Sequence, residues 1–205
     1  MNQENNYAMD RPRHSDMVIK VCGLKDLENM RQVSCLTPML AGFIFYKRSP
    51  RYVGEPPADF LSMLTPYVHP VAVFVDASLR QVMKVVSKYG FRIVQLHGHE
   101  SAEYCADLKK SGLTVFKAIG VTDGMDWGQV GVYDGIVDAF VFDTGSRSHG
   151  GTGRKFDWRL LDNYRLSTPY LLSGGIGPDD AEDVVAAMRP GMAGIDINSL
   201  FETSP

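Results

Sequence analysis

Two side chains able to move protons close apolar runs of this chain: Cys22 ends "MVIKVC" and Asp143 ends "AFVFD". A thiol and a carboxylic acid facing each other can serve a substrate as an acid–base pair. Each also has a plainer reading. A cysteine at a strand end is the ordinary small buried hydrophobe, and an aspartate there caps a loop. Which reading holds depends on the elements that carry them.

Short apolar runs recur through the chain: "MVIKVCG", "LAGFIF", "VAVFVD", "IVQLHG", "TVFKAIG", "AFVFDT", "YLLSGG" and "MAGIDIN". Their nearly unbroken apolar character is that of parallel strands covered on both faces. Helix-like segments intervene at 25–35, 79–89, 100–110 and 178–188, with weaker ones at 123–133 and 156–164, the former carrying three glycines. Pro178 stands at a first-turn position with acids behind it, where the helix dipole favours them. Eight strand–helix units predict an α/β fold, a closed (β/α)8 TIM barrel in a single domain over residues 17–205. The rival doubly wound sheet lacks its GxGxxG fingerprint, since the first turn reads "CGLKDLEN". No segment for a final helix follows strand eight before "NSLFETSP" ends, so strand one, and Cys22 with it, is expected to be poorly supported.

In such a barrel the chemistry sits at the C-terminal ends of the strands. The two-residue strand period puts Val18, Lys20 and Cys22 on one face and Val141 with Asp143 on another. If both faces point inward, Cys22 and Asp143 meet across the mouth. An inward Lys20 needs a partner for its ammonium, and Asp196 on the adjoining strand eight is the expected one; the alternative sends Lys20 outward between helices. A cation about 7 Å along the strand would favour the thiolate of Cys22, and a paired aspartate would blunt that effect.

The glycines of "LSGGIGPDD" join strand seven to a helix N-terminus, a natural phosphate seat. With the loop after strand eight they nominate Gly174, Gly175 and Ser199, against the reading of an ordinary turn. Arg51 in "KRSPRYV" offers a planar fork to a carboxylate, though a surface arginine is the commoner case. His97 ends strand four and is placed to hydrogen-bond a substrate, while His99 is expected to cap the following helix. The stretch 145–158, "GSRSHGGTGRKFDW", reads as a lid, with His149 a solvated loop residue and no P-loop ending.

Composition narrows the field. The chain has 205 residues, 44% apolar and 22% charged, with net charge −3 and both signs interspersed. No basic face advertises a nucleic-acid or membrane partner. Three cysteines without CxxC spacing speak against a disulfide framework or zinc site and for a cytoplasmic location. Residues 1–16 are polar and read as a mobile tail, neither signal peptide nor membrane anchor.

Taken together, "KVCGL", "GFIFYKRSPRYV", "VAVFVD", "VQLHGHES", "FDTGSRSHGGTGRKFDW" and "LLSGGIGPDDAEDV" resemble the phosphoribosylanthranilate isomerases of tryptophan biosynthesis, over about residues 18–202. The resemblance implies a cofactor-free, metal-free barrel, monomer or homodimer. It would convert the small phosphorylated substrate N-(5-phosphoribosyl)anthranilate to 1-(2-carboxyphenylamino)-1-deoxyribulose 5-phosphate by an Amadori rearrangement. It implies Cys22 as general base, Asp143 as general acid, Arg51 on the anthranilate carboxylate and the loops after strands seven and eight on the phosphate. One departure is Leu200, where the family usually carries glycine. Two rival readings remain: a metal-dependent phosphosugar epimerase, which would need several strand-end His and Asp residues, and a catalytically silent phosphate-binding barrel.

Overall fold

The computed structural model describes residues 17–145 and 155–205. The tail at 1–16 and most of the stretch read as a lid, with His149, lie outside the described residues. Eight parallel strands close in sequence order: β1 (Val18–Val21), β2 (Leu40–Ile44), β3 (His69–Phe74), β4 (Ile93–Leu96), β5 (Thr114–Val121), β6 (Ala139–Thr144), β7 (Tyr170–Leu172) and β8 (Met192–Ile197). The ring closes where Val18 to Val21 pair with Gly194 to Ile197. This is the TIM barrel expected from the eight apolar runs.

Local chemistry explains the firm helices. In α1 (Leu27–Cys35) the Asp26 carboxylate accepts the Asn29 N–H at 2.8 Å. In α2 (Leu79–Tyr89) Ser78 and Gln81 form a reciprocal capping box, and Gly90 ends the helix in the left-handed region. Ser101 caps α3 (Ala102–Lys110). That corrects the role expected of His99, whose backbone N–H donates to Asp76 Oδ1 at 2.6 Å.

Elsewhere helices are shorter than their sequence segments. Segment 123–133 yields only α4 (Trp127–Gly131), and 156–164 only a 3-10 turn at Trp158–Asn163. Segment 178–188 becomes a 3-10 turn at Pro178–Asp180 running into α5 (Ala181–Ala186). After β2 there is a single 3-10 turn, Phe60–Met63. Aromatic rings cover the strands instead. Phe60 is fully buried, with its ring 5.1 Å from Phe43 and 5.3 Å from Tyr89. On the other side Tyr164 meets Phe142 at 5.5 Å and Tyr170 at 5.0 Å. Large rings fill the space that longer helices would have occupied.

Among the described residues no helix follows β8, and Ile19 on the outer face of β1 is 39% exposed. Strand one is nevertheless held on both edges, by β8 and by β2. The ladder even continues one residue past it, where Cys22 N–H donates to Ile197 O at 3.0 Å. The expected lack of support therefore concerns only the outer face of strand one, since strand hydrogen bonds hold both its edges and Cys22. Among the described residues no helix is long and apolar enough to cross a membrane.

Candidate active site

The lower barrel interior is a dry plug of Val18, Leu40, Val71, Ile93, Phe116 and Ala139 with their neighbours. Toward the C-terminal ends of the strands the inward positions turn polar. Lys20 is wholly buried and grips both carboxylate oxygens of Asp196, at 2.9 and 3.0 Å. The two residues are direct partners in the β1–β8 register, so barrel closure itself creates the ion pair. The inward reading of Lys20 holds.

Cys22 sits above this pair. A Cβ built on Gly42 of β2 would lie 2.7 Å from Cys22 Sγ and 3.2 Å from Lys20 Nζ, so only glycine leaves the thiol and ammonium room at that wall. Burial pushes the Cys22 thiol above its ordinary range, and the Lys20 ammonium pulls against that rise. Burial alone would lower Lys20, but Asp196, with Cys22 beside it, holds the ammonium above its ordinary value.

Asp143, near the end of β6, accepts the Thr144 N–H on Oδ1 at 2.8 Å and faces His97 Nε2 with Oδ2 at 3.5 Å. Gly174, at φ +87°, passes close to this carboxylate: an added Cβ would lie 3.0 Å from Asp143 Oδ1 and 2.7 Å from Thr144 N. Glycine is needed there for both conformation and space.

One cleft is lined by all seven residues nominated from the sequence: Cys22, Arg51, His97, Asp143, Gly174, Gly175 and Ser199. Three details differ from expectation. Arg51 is buried, and Glu202 accepts from its Nε at 2.7 and 3.0 Å and from its Nη2. The helix behind the glycine pair is short, and its Gly177 N–H is already bound by Asp180 Oδ2 at 2.7 Å. Leu200 needs no left-handed backbone, since Thr37 and Asp76 are the only non-glycine residues with positive φ among those described. Its side chain packs on the Gly177 backbone, 3.3 Å from a built Cβ.

Four further residues received no role from the sequence, although Gln95 and Asn198 are polar strand ends at the mouth. Gln95 Oε1 and Asn198 Oδ1 line the cleft, buried and without a hydrogen-bond partner among the described residues. A buried acceptor without a partner calls for a donor from outside the chain. Lys117 and Glu100 form a second buried ion pair at 3.0 Å outside the barrel wall. Glu100 also accepts from Asp76 N at 2.9 Å and Gly98 N at 3.0 Å, fixing the turn beyond His97. The signal for Lys117 was available, a lone cation inside the apolar "VFKAIG". Among the described residues no three His, Cys, Asp or Glu side chains are grouped to hold a metal ion.

The family model and the more similar relatives point to one family. A family model described as N-(5'phosphoribosyl)anthranilate (PRA) isomerase matches residues 19–204. An N-(5'-phosphoribosyl)anthranilate isomerase from Parabacteroides distasonis is 42% identical over 191 residues, covering 92% of this chain and 86% of that relative. One from Phocaeicola vulgatus is 39% identical, covering 92% of this chain and 90% of that relative. The solved phosphoribosyl anthranilate isomerase of Thermotoga maritima superposes with TM-score 0.79 at 31% identity, covering 92% and 91% of the two chains. Another solved isomerase, in complex with reduced 1-(o-carboxyphenylamino)-1-deoxyribulose 5-phosphate, gives TM-score 0.75 at 30% identity and covers 92% and 90%.

Proposed function

Because the chain belongs to the N-(5'-phosphoribosyl)anthranilate isomerase family, we propose that it is the aldose–ketose isomerase of tryptophan biosynthesis acting on N-(5'-phosphoribosyl)anthranilate. The observation that carries the reading is the placement of a thiol, Cys22, and a carboxyl group, Asp143, on the walls of one cleft beneath the glycine loop.

In the proposed reaction Asp143 protonates the ribose ring oxygen, and the ring opens to a Schiff base. The Cys22 thiolate then removes the proton from the adjacent carbon. The resulting enolamine tautomerises to the ketone, 1-(2-carboxyphenylamino)-1-deoxyribulose 5-phosphate. His97, with Nε2 3.5 Å from Asp143 Oδ2, helps to orient the acid in the cleft. Gln95 and Asn198 accept hydrogen bonds from sugar hydroxyls, which satisfies their orphaned oxygens. The phosphate lies against Gly174, Gly175 and Ser199.

Arg51 takes the anthranilate carboxylate. A guanidinium has five N–H donors, and Glu202 engages only its Nε and Nη2. The remaining edge suits the substrate, and Glu202 stops the fork from swinging away. The isomerase named for Thermotoga maritima is described as dimeric; this chain is proposed to work as a monomer or homodimer.

The test is product analysis with phosphoribosylanthranilate as substrate in the presence of excess EDTA. Full turnover to the aminodeoxyribulose phosphate is expected, since no proposed step uses a metal. Activity abolished by EDTA and restored by a divalent ion, or an epimerised sugar as product, would overturn the reading.

A further inference from the structure

Lysine carries three ammonium donors. Asp196 takes two of those of Lys20, and no other oxygen among the described residues accepts the third. Cys22 Sγ stands on the same side, across the bare Gly42 backbone. The contrast with the other buried lysine is direct. Lys117 Nζ is surrounded by Glu100 Oε2 at 3.0 Å and by the carbonyls of Gly98, Ala118 and Leu96 at 2.7, 3.3 and 3.4 Å. One ammonium is surrounded by oxygen, and the other keeps a donor that no oxygen among the described residues takes.

Packing alone gives no reason to keep Lys20 and Asp196. Replacing a buried ion pair by well-packed apolar groups is often neutral or stabilising, whereas removing one partner is costly. We propose that Lys20 is a positioning residue for Cys22: tethered by Asp196, its ammonium holds the sulfur as the thiolate counter-ion that proton abstraction requires. The proposal rests on the reading of Cys22 as the base and adds the group that arms it. Asp196 keeps the cation in the barrel interior while competing with the sulfur for it. The other charged or titratable groups facing the cleft are Asp143 from β6, His97 from beyond β4, and Tyr46 and Arg51 from the loop after β2. Of the charged groups acting on the thiol, Lys20 favours the thiolate and Asp196 opposes it. Lys20 shares the Gly42 wall with the sulfur.

Two double variants separate this role from a structural one. Iodoacetamide reports the thiolate directly: its sulfur displaces iodide from the carbon and forms a thioether. Labelling is followed across pH by mass spectrometry of the Cys22 peptide, which keeps Cys35 and Cys105 apart. Cys22 is partly exposed, so the reagent has access. In a Lys20→Met/Asp196→Leu double variant, which strands neither charge, labelling at neutral pH is expected to slow about tenfold or more, the equivalent of one pH unit in its profile. In a Lys20→Gln/Asp196→Asn double variant, which keeps a neutral hydrogen-bonding pair, labelling is expected to slow as much, which tells lost charge from lost packing. A folded double variant of either kind with the parent profile would overturn the proposal. Should the apolar variant not fold, the Gln/Asn variant alone decides.

The labelling needs no substrate. A parent that labels as proposed yet does not turn over phosphoribosylanthranilate would contradict the isomerase reading and leave this inference standing. Where turnover is followed as well, either double variant is expected to lose kcat with KM little changed.

Discussion

The barrel buries two lysines on its strands, and their surroundings part them. Lys20 on β1 points inward, grips both oxygens of Asp196 and stands at the same Gly42 wall as the Cys22 sulfur. Lys117 on β5 points outward into a cage of Glu100 and three carbonyls that ties the turns after β3 and β4 together. Both ion pairs measure about 3 Å. What differs is what the remaining donors face. A saturated ammonium holds structure; one with a spare donor at a cleft can serve chemistry.

The largest effect expected from this contrast is on stability. Lys117→Met strands the Glu100 carboxylate and should cost about 3–5 kcal/mol, read by urea unfolding. A loss under about 1 kcal/mol would mean that water replaces the cage and that the two pairs differ less than their geometry suggests. Next comes Gly174→Ala, which forces a methyl group toward the Asp143 carboxylate at a left-handed position. It should reduce kcat by about 100-fold, since misplacing a reacting group by an ångström costs that much. Activity retained within a few fold would separate the β7 loop from the acid.

A smaller change is expected at Arg51. Arg51→Lys keeps the charge but loses the planar fork, so KM should rise about tenfold while kcat moves little, a loss of about 1.4 kcal/mol in substrate binding. Steady-state kinetics decides, and a fall confined to kcat would remove Arg51 from carboxylate recognition. Smallest and most diagnostic is the pH dependence. Burial raises the Cys22 thiol, and a base with a raised value gains its active, deprotonated form as pH rises. The limb of kcat/KM that depends on the base should therefore climb with pH through the neutral range and above it. A base limb already flat at pH 6 would assign the base elsewhere.

The barrel was legible because both faces of every strand are covered, which leaves eight uninterrupted apolar runs. The shortened helices were not. Phe60, Tyr89 and Tyr164 do the covering there, and contacts between distant rings leave no periodic trace. Lys20 stood out against apolar neighbours, and its partner followed from barrel closure alone. Lys117 carried the same mark in "VFKAIG", but its partner lies in a turn that no periodicity identifies. Glu202 on Arg51 spans 151 positions between two loops, beyond any local rule. The His99 cap failed because Ser101, two residues later, has the short hydroxyl that caps an N-terminus well.

The measurement that bears most directly on the account is the loss of phosphoribosylanthranilate fluorescence on adding the parent protein, Cys22→Ser and Asp143→Asn side by side, each with its unfolding transition recorded. The account predicts turnover by the parent and at least a roughly 100-fold loss in each variant at parental stability. A folded Cys22→Ser or Asp143→Asn protein that still turns over at the parental rate would contradict it.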